Sequence, residues 1–159
     1  MGKNGKPFTI YKFRTMCVGK EDKRGLTKGF HDKRITTIGI FLRKYKLDEL
    51  PQFYNILKGD MSVVGSRPQV PYYTTKFKNF YNIILKEKPG LVSPAVFAYG
   101  NELELLDKAA DPIAYFEEVL IPAKCRLDME LVKNFTLKTY LKSLLNFVLI
   151  NYKKMSLRK

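Results

Sequence analysis

A chain of 159 residues that is 45% hydrophobic and 13% aromatic is too apolar to stay disordered and long enough to bury a core, so one domain over residues 1–159 is expected. Its 29 Lys and Arg outnumber 15 Asp and Glu, and the net charge of +14 points to an anionic partner: nucleic acid, an acidic membrane or a phosphorylated small molecule. One histidine, His31, and two widely separated cysteines, Cys17 and Cys125, argue against Ser-His-Asp catalysis, a multi-histidine metal site or a CxxC centre; both thiols are expected to be free.

Met1–Pro7 carries no hydrophobic signal segment, and no stretch reaches the ~18 to 20 apolar residues that a membrane crossing requires. Transmembrane anchoring by this chain is therefore not expected, whereas lying on a membrane surface remains open. Residues 8–16 (FTIYKFRTM) are β-prone and alternate, with Phe8 and Ile10 on one face and Tyr11 and Phe13 on the other. The polar, Gly-containing stretch 17–33 reads as a loop, with His31 a loop residue. Helical character begins near Thr37 and runs through Tyr45. A second helix is predicted from Asp48, because Leu50, Phe53, Tyr54 and Leu57 form one apolar stripe, with Pro51 in its first turn and Gly59 as its stop.

Met61–Gly65 reads as a short buried strand. Residues 71–88 look like one basic, aromatic helix ended by Pro89-Gly90. Leu91–Tyr99 is either strand or apolar loop, and short helices are expected over 101–108 and 112–119. A last helix is predicted over about 128–152, containing the apolar run Leu144–Ile150 and leading to Lys153-Lys154 and Arg158-Lys159. The expected fold class is α+β: a mostly helical domain with a small β-sheet and amphipathic helices suited to a membrane interface. Residues 72–88 and the C-terminal helix are the candidates for that contact, with aromatics at headgroup depth and lysines toward anionic lipid.

The chemistry concentrates between Asp32 and Pro68. Asp48-Glu49 falls at a predicted helix N-terminus, where the dipole favours the carboxylate form and where capping is the ordinary role of an Asp. Arg34, Arg43, Lys44 and Lys46 precede the pair and Arg67 follows it. Paired carboxylates in a cationic setting suit Mg²⁺ together with a phosphate-bearing ligand, and arginine offers a planar fork to phosphate oxygens. A carboxylate can also attack phosphorus directly. GxxxxGKS and GxGxxG loops are absent, so a nucleotide would have to be held by side chains and helix ends.

GKNGKPFTIYKFRTM followed by DKRITTIGIFLRKYKLDELPQFYNILKGDMSVVGSRP resembles the bacterial sugar transferases, the monotopic phosphoglycosyl transferases. The words GKPF, KFRTM, DxRIT, LDELPQ, NxLKGDMS and VGxRP occur in the family's order from Gly2 to Pro68. Looser similarity continues through KPGLVSPAVFAYGNE and IPAKCRLDMELVKN. The resemblance implies transfer of a sugar-1-phosphate from a nucleotide sugar, usually a UDP-sugar, through an enzyme carboxylate to a polyprenyl phosphate. Such a step initiates bacterial polysaccharide or glycoconjugate synthesis, capsule or lipopolysaccharide among them, at the cytoplasmic face of the inner membrane.

By the same resemblance Asp48 matches the nucleophile and Glu49 its acidic partner, with Mg²⁺ expected at both. Arg43 matches a phosphate-holding arginine, and Arg67 with Pro68 matches a turn that holds the nucleotide donor. Arg14, Asp32 and Arg34 match recurrent family positions; Asp32 and Arg34 read equally well as a structural ion pair. The chain departs from the pattern in three places. It starts within the family's RxGxNGKPF region and so reads as truncated, Ser66 stands where the turn has its first proline, and Tyr140 stands near an expected acidic residue. A basic nucleic-acid-binding module accounts for the charge but not for LDELPQ and GDMS, so no nucleic acid is expected; a catalytically silent family remnant is the other alternative.

Overall fold

Thr36 starts the first helix, its hydroxyl oxygen accepting the Gly39 N–H at 3.0 Å, and α1 runs Thr37–Lys44. A tight turn over Leu47–Glu49 follows before α2, Gln52–Lys58, which Gly59 ends in the left-handed conformation. Strand β1, Ser62–Val64, pairs in parallel with β2, Gly90–Val92, in the register Ser62↔Gly90 and Val64↔Val92. Between them lie α3, Pro71–Lys76, and α4, Lys78–Ile84. After β2 come α5, Pro94–Ala98, α6, Glu102–Lys108, and α7, Pro112–Tyr115. A π-turn, Phe116–Leu120, joins α7 to α8, Ile121–Lys133, and α9 spans Leu137–Ser156. This computed structural model describes residues 1–19 and 24–156.

The α+β, mostly helical expectation is met, and no helix among the described residues is long and apolar enough to cross a membrane. The core is built by Tyr73, Tyr81, Ile84, Leu106, Phe116, Leu120 and Ile121, contributed by α3, α4, α6 and the segment around α8. Tyr73 and Tyr81 are therefore interior groups, and residues 71–88 form two helices that break at Phe77 (φ −110°, ψ 38°), not one surface helix. The aromatic face on which membrane contact by this segment rested is mostly turned inward.

Three other expectations are corrected. Residues 8–16 form no ladder beyond an isolated bridge, Met16↔Ile35. Their polar groups bond to neighbours instead: Tyr11 N–H to Asn55 Oδ1 at 3.1 Å, Asn55 Nδ2 to Thr9 O at 2.8 Å and Phe13 N–H to Asp48 O at 3.0 Å. The second helix begins at Gln52, not Asp48. The helix predicted over 128–152 is two helices, separated at Asn134–Thr136, where the Thr136 hydroxyl accepts the Thr139 N–H at 3.2 Å and recaps the chain. Part of the loop expected at 17–33 and the basic residues Arg158-Lys159 lie outside the described residues.

Helix α2 is inverted relative to the usual amphipathic arrangement. Gln52 and Asn55 are fully buried, while Phe53, Tyr54 and Leu57 are 53%, 57% and 86% exposed. The apolar stripe faces outward because Asn55 is needed inside to tie down residues 9–11. The loop before α1 is fixed from the other side: Asp107 on α6 accepts the N–H groups of Phe30 (3.0 Å) and His31 (3.2 Å), and His31 Nδ1 lies 3.1 Å from its Oδ1. His31 is thus a loop residue, and both cysteines are free thiols, Cys17 exposed and Cys125 buried.

The sheet crosses without side chains at one point. A Cβ on Gly90 would lie 2.3 Å from Gly65 N and 2.7 Å from Gly65 Cα, so only glycine lets the two backbones meet there. Gly90→Ala is expected to destabilise the protein by about 3 kcal/mol through forced separation of β1 and β2, read as a lowered midpoint in urea unfolding.

Candidate active site

Asp48 sits in a turn that the backbone enters under strain. Lys46 adopts a left-handed conformation (φ 56°, ψ 24°) costly for a residue with a side chain, and Leu50 N–H closes onto Leu47 O at 3.2 Å. The Phe13–Asp48 backbone bond holds this turn against the extended segment. Asp48 itself is only 8% exposed and caps nothing: α2 starts four residues later, and its N-cap, Pro51, has no side-chain bond. Among the described residues it forms no ion pair or side-chain hydrogen bond. Burial raises its pKa and the Glu49 charge raises it further, while Lys12 and Arg43 pull it back. The dipole-stabilised carboxylate expected from the sequence is thus replaced by one held near cations but poorly solvated.

Glu49 points to a different fate. Arg67 Nη1 and Nη2 donate to its two oxygens at 2.6 and 2.5 Å, a bidentate pair in which each side chain is about one-fifth exposed. Burial disfavours the Glu49 charge, but the Arg67 charge and hydrogen bonds, with Lys12 and Lys46, outweigh it and hold the pKa at about 2. Arg67 is presented by a fixed backbone: Gly65 N–H bonds Val92 O at 2.9 Å and Gly90 N–H bonds Ser66 O at 2.8 Å. Ser66 in place of proline therefore leaves the turn anchored to β2, with half-buried Pro68 beyond it.

Arg43, on α1, donates from Nε to Thr15 Oγ1 at 2.9 Å and from Nη1 to Thr27 Oγ1 at 2.6 Å. Neutral hydroxyls orient it without cancelling its charge, and it interacts electrostatically with Asp48 and Glu49. Arg34 forks onto Asp32 at 2.7–3.2 Å and donates to Leu26 O at 2.7 Å, which makes it a brace of the loop; Asp32 is accordingly held well below the usual carboxylate range, chiefly by that hydrogen bonding. Arg14 is exposed and forms no ion pair among the described residues. The fold thus gathers Asp48, Glu49, Arg43 and Arg67, with Arg34 bonded to Asp32 and Arg14 exposed.

The residue that sequence reading passed over is Lys12. Its side chain reaches the surface, and its pKa is lowered by desolvation, then by Arg67 and Arg43, against the raising influence of Glu49 and Asp48. It lies inside the KFRTM word, and its alternation opposite Tyr11 and Phe13 was the available signal. Among the described residues no group of three or more His, Cys, Asp and Glu gathers in space. Glu49 has both oxygens engaged and Asp48 has neither, so the protein offers a hard divalent cation one uncommitted carboxylate. That suits Mg²⁺ when phosphate oxygens of a ligand complete its shell.

The family description "Bacterial sugar transferase" matches residues 1–154. A Bacillus subtilis (strain 168) protein with the provisional name undecaprenyl-phosphate N-acetylgalactosaminyl 1-phosphate transferase is 48% identical over 79 residues, 50% of this chain and 44% of that one. The UDP-glucose:undecaprenyl-phosphate glucose-1-phosphate transferase of Klebsiella pneumoniae is 38% identical over 118 residues, 72% of this chain and 25% of its own. The UDP-N-acetylgalactosamine-undecaprenyl-phosphate N-acetylgalactosaminephosphotransferase of Aeromonas hydrophila is 39% identical over 103 residues, 63% and 24% of the two chains. The chain spans less than half the length of these relatives. Matched almost from end to end, and with the Asp48-Glu49 turn set among Arg43 and Arg67, the chain belongs to the bacterial sugar transferase family.

Proposed function

We propose that this chain carries the catalytic centre of a phosphoglycosyl transferase that moves a sugar-1-phosphate from a UDP-sugar to a polyprenyl phosphate, with Asp48 as the nucleophile. The observation that carries the reading is the division of labour in the turn. Glu49 is neutralised by Arg67, while the carboxylate of its neighbour Asp48 is buried, feels the Arg43 charge and, among the described residues, forms no ion pair or hydrogen bond to another side chain. A capping or structural carboxylate would be engaged; a poorly solvated, unengaged one is a reactive group.

In the first step an Asp48 oxygen attacks the sugar-bearing phosphorus of the donor. The P–O bond to the second phosphate breaks, and UMP leaves with the bond's electron pair. In the second, an oxygen of the polyprenyl phosphate attacks the same phosphorus, and Asp48 departs as a carboxylate. Arg43 and the Arg67 fork orient phosphate oxygens and lower the repulsion between two anions. Asp48 would hold Mg²⁺ jointly with the donor diphosphate, Glu49 lending its remaining lone pairs; bound there, the ion would neutralise charge on the departing phosphate.

An anionic membrane surface, at the cytoplasmic face, is the partner that fits the outside of the domain. Ile38, Phe41 and Tyr45 on and beside α1, and Phe53, Tyr54 and Leu57 on α2, are exposed next to Lys44, Lys46 and Lys58. Leu137, Leu141, Leu145 and Leu149 on α9 are exposed along a face shared with Lys138 and Lys142. Apolar groups flanked by lysines suit an interfacial location, where a lipid phosphate would also be found.

Asp48→Asn is expected to abolish UMP release from UDP-sugars in the presence of Mg²⁺ and to remove a sugar-phosphate mass adduct, with thermal stability unchanged or raised. Undiminished UMP release would refute the assignment. Because Asp48 must be ionised to attack and its pKa lies above the ordinary value, the rate of the first step should fall as pH drops through that raised pKa. Glu49→Gln, which leaves Arg67 without its counter-charge, is expected to cost about 2–4 kcal/mol at pH 7. The folded-state pKa of Glu49, about 2, lies below the unfolded value of about 4.3, so its contribution is complete above the latter and is lost as pH falls toward the former. Unfolding free energies of the two proteins should converge in that window.

A further inference from the structure

We propose that residues 26–34 form a strap that sets the orientation of Arg43, and that Asp107, on α6, is a positioning residue acting through that strap; the proposal rests on the transferase reading. Arg43 is held by two hydroxyls that come from different segments. Thr15 Oγ1 accepts from its Nε at 2.9 Å, and Thr27 Oγ1 accepts from its Nη1 at 2.6 Å. Thr15 is buried beside the start of α1, its carbonyl accepting the Thr36 N–H at 3.0 Å, so it stays with the helix that carries Arg43. Thr27 belongs to the strap. A guanidinium bonded at one nitrogen can pivot, and the second bond fixes its plane. The plane of Arg43 therefore depends on where the strap lies.

The strap is bonded on both sides of Thr27. Arg34 Nη2 donates to Leu26 O at 2.7 Å, and Asp32 Oδ2 accepts the Lys28 N–H at 3.0 Å, while the Asp32 and Arg34 side chains pair with each other at 2.7 Å. This clamp is internal to the loop: it gives the strap a shape but not a place. Leu26 anchors one end in the core. Asp107 anchors the middle, accepting the Phe30 N–H at Oδ2 (3.0 Å) and the His31 N–H at Oδ1 (3.2 Å). Gly29 shows how closely the two are fitted. Its φ is 122°, and a Cβ there would lie 2.0 Å from Asp107 Oδ1, so the backbone is drawn directly onto the carboxylate. Asp107 stands in the last turn of α6, where the helix dipole opposes a negative charge. The strap supplies the N–H donors that offset this penalty. One line of bonds thus runs from α6 through the strap to Arg43, whose charge acts on Asp48.

The test compares Thr27→Val, Thr27→Ser, Asp107→Asn and the Thr27→Val/Asp107→Asn double variant in the full chain, with Asp48→Asn as the control for the parent reading. The readouts are UMP release from UDP-sugars with Mg²⁺ and the NMR signal of the Arg43 Nε–H, assigned by its loss in Arg43→Lys. Valine keeps the shape of Thr27 without its acceptor, and Asp107→Asn turns an NH₂ toward one of the two N–H groups. Thr27→Val is expected to lower kcat/KM about tenfold and Asp107→Asn roughly fivefold, each with roughly fivefold faster solvent exchange at Arg43 Nε–H. Thr27→Ser, which keeps the oxygen, should match the wild type. Because Asp107 acts through Thr27, the double variant should be no slower than Thr27→Val alone. An Arg43 signal unchanged in Asp107→Asn overturns the proposal whatever the rates of UMP release, and so do effects that multiply in the double variant. An Asp107→Asn protein that melts earlier but keeps the wild-type Arg43 signal would make Asp107 an anchor of the loop alone. If Thr27→Val releases UMP at the wild-type rate while Asp48→Asn is inactive, the strap proposal falls and the transferase reading stands; if Asp48→Asn retains activity, the reading beneath it falls as well.

Discussion

Two adjacent carboxylates in a half-buried turn repel each other, and one of them must be neutralised if the other is to stay available. The Glu49–Arg67 pair meets that constraint. Its two hydrogen bonds join the turn after α1 to the end of β1, and the guanidinium is oriented because Gly65 and Ser66 are themselves tied to β2. Much else is arranged to keep this pair in register: the parallel two-stranded contact, the glycine-only crossing at Gly65 and Gly90, and the packing of α8 beneath. With Glu49 satisfied, the penalties that remain, burial and a neighbouring negative charge, fall on Asp48. Such penalties lower stability, and they are the kind of strain that collects at functional sites.

The inverted α2 follows from the same requirement. The extended segment at residues 8–16 has no sheet to join, so its backbone groups need partners from elsewhere, and Asn55 provides both a donor and an acceptor. Placing Asn55 and Gln52 inside turns Phe53, Tyr54 and Leu57 outward. One polar interior contact thus ties down residues 9–11 and also creates the outward apolar stripe.

How much of this was legible depended on range. α1, β1 and α6 could be read locally, because helical character from Thr37, a short apolar strand and a short helix over 101–108 each declare themselves within a few residues. The breaks could not. Residues 71–88 carry helical periodicity throughout, and the kink at Phe77 exists because Tyr73 and Tyr81 must both reach the core. Pro122 removes a helical donor, yet the chain does not stop there; the π-turn over Phe116–Leu120 absorbs the mismatch and α7 runs on into α8. Alternation over residues 8–16 suggested a ladder, since no local signal distinguishes a strand from a segment bonded to a side chain. Asp32 and Arg34 already read equally well as an ion pair or as site residues; the fold shows Arg34 locked to Asp32, and Arg43 held by the neutral hydroxyls of Thr15 and Thr27.

The same distinction explains why a net charge of +14 indicated an anionic partner without identifying it. Formal charge counts every lysine and arginine alike, and most of the summed field acts at long range, drawing any polyanion or acidic surface toward the domain. What discriminates at contact is which cations are already satisfied. Around Asp48 the arginines are committed to carboxylate or hydroxyl partners, which fixes their geometry at the expense of their freedom. Fixed forks give an anion one orientation, while the remaining surface lysines supply the long-range field, so attraction and orientation are divided between different cations of the same domain.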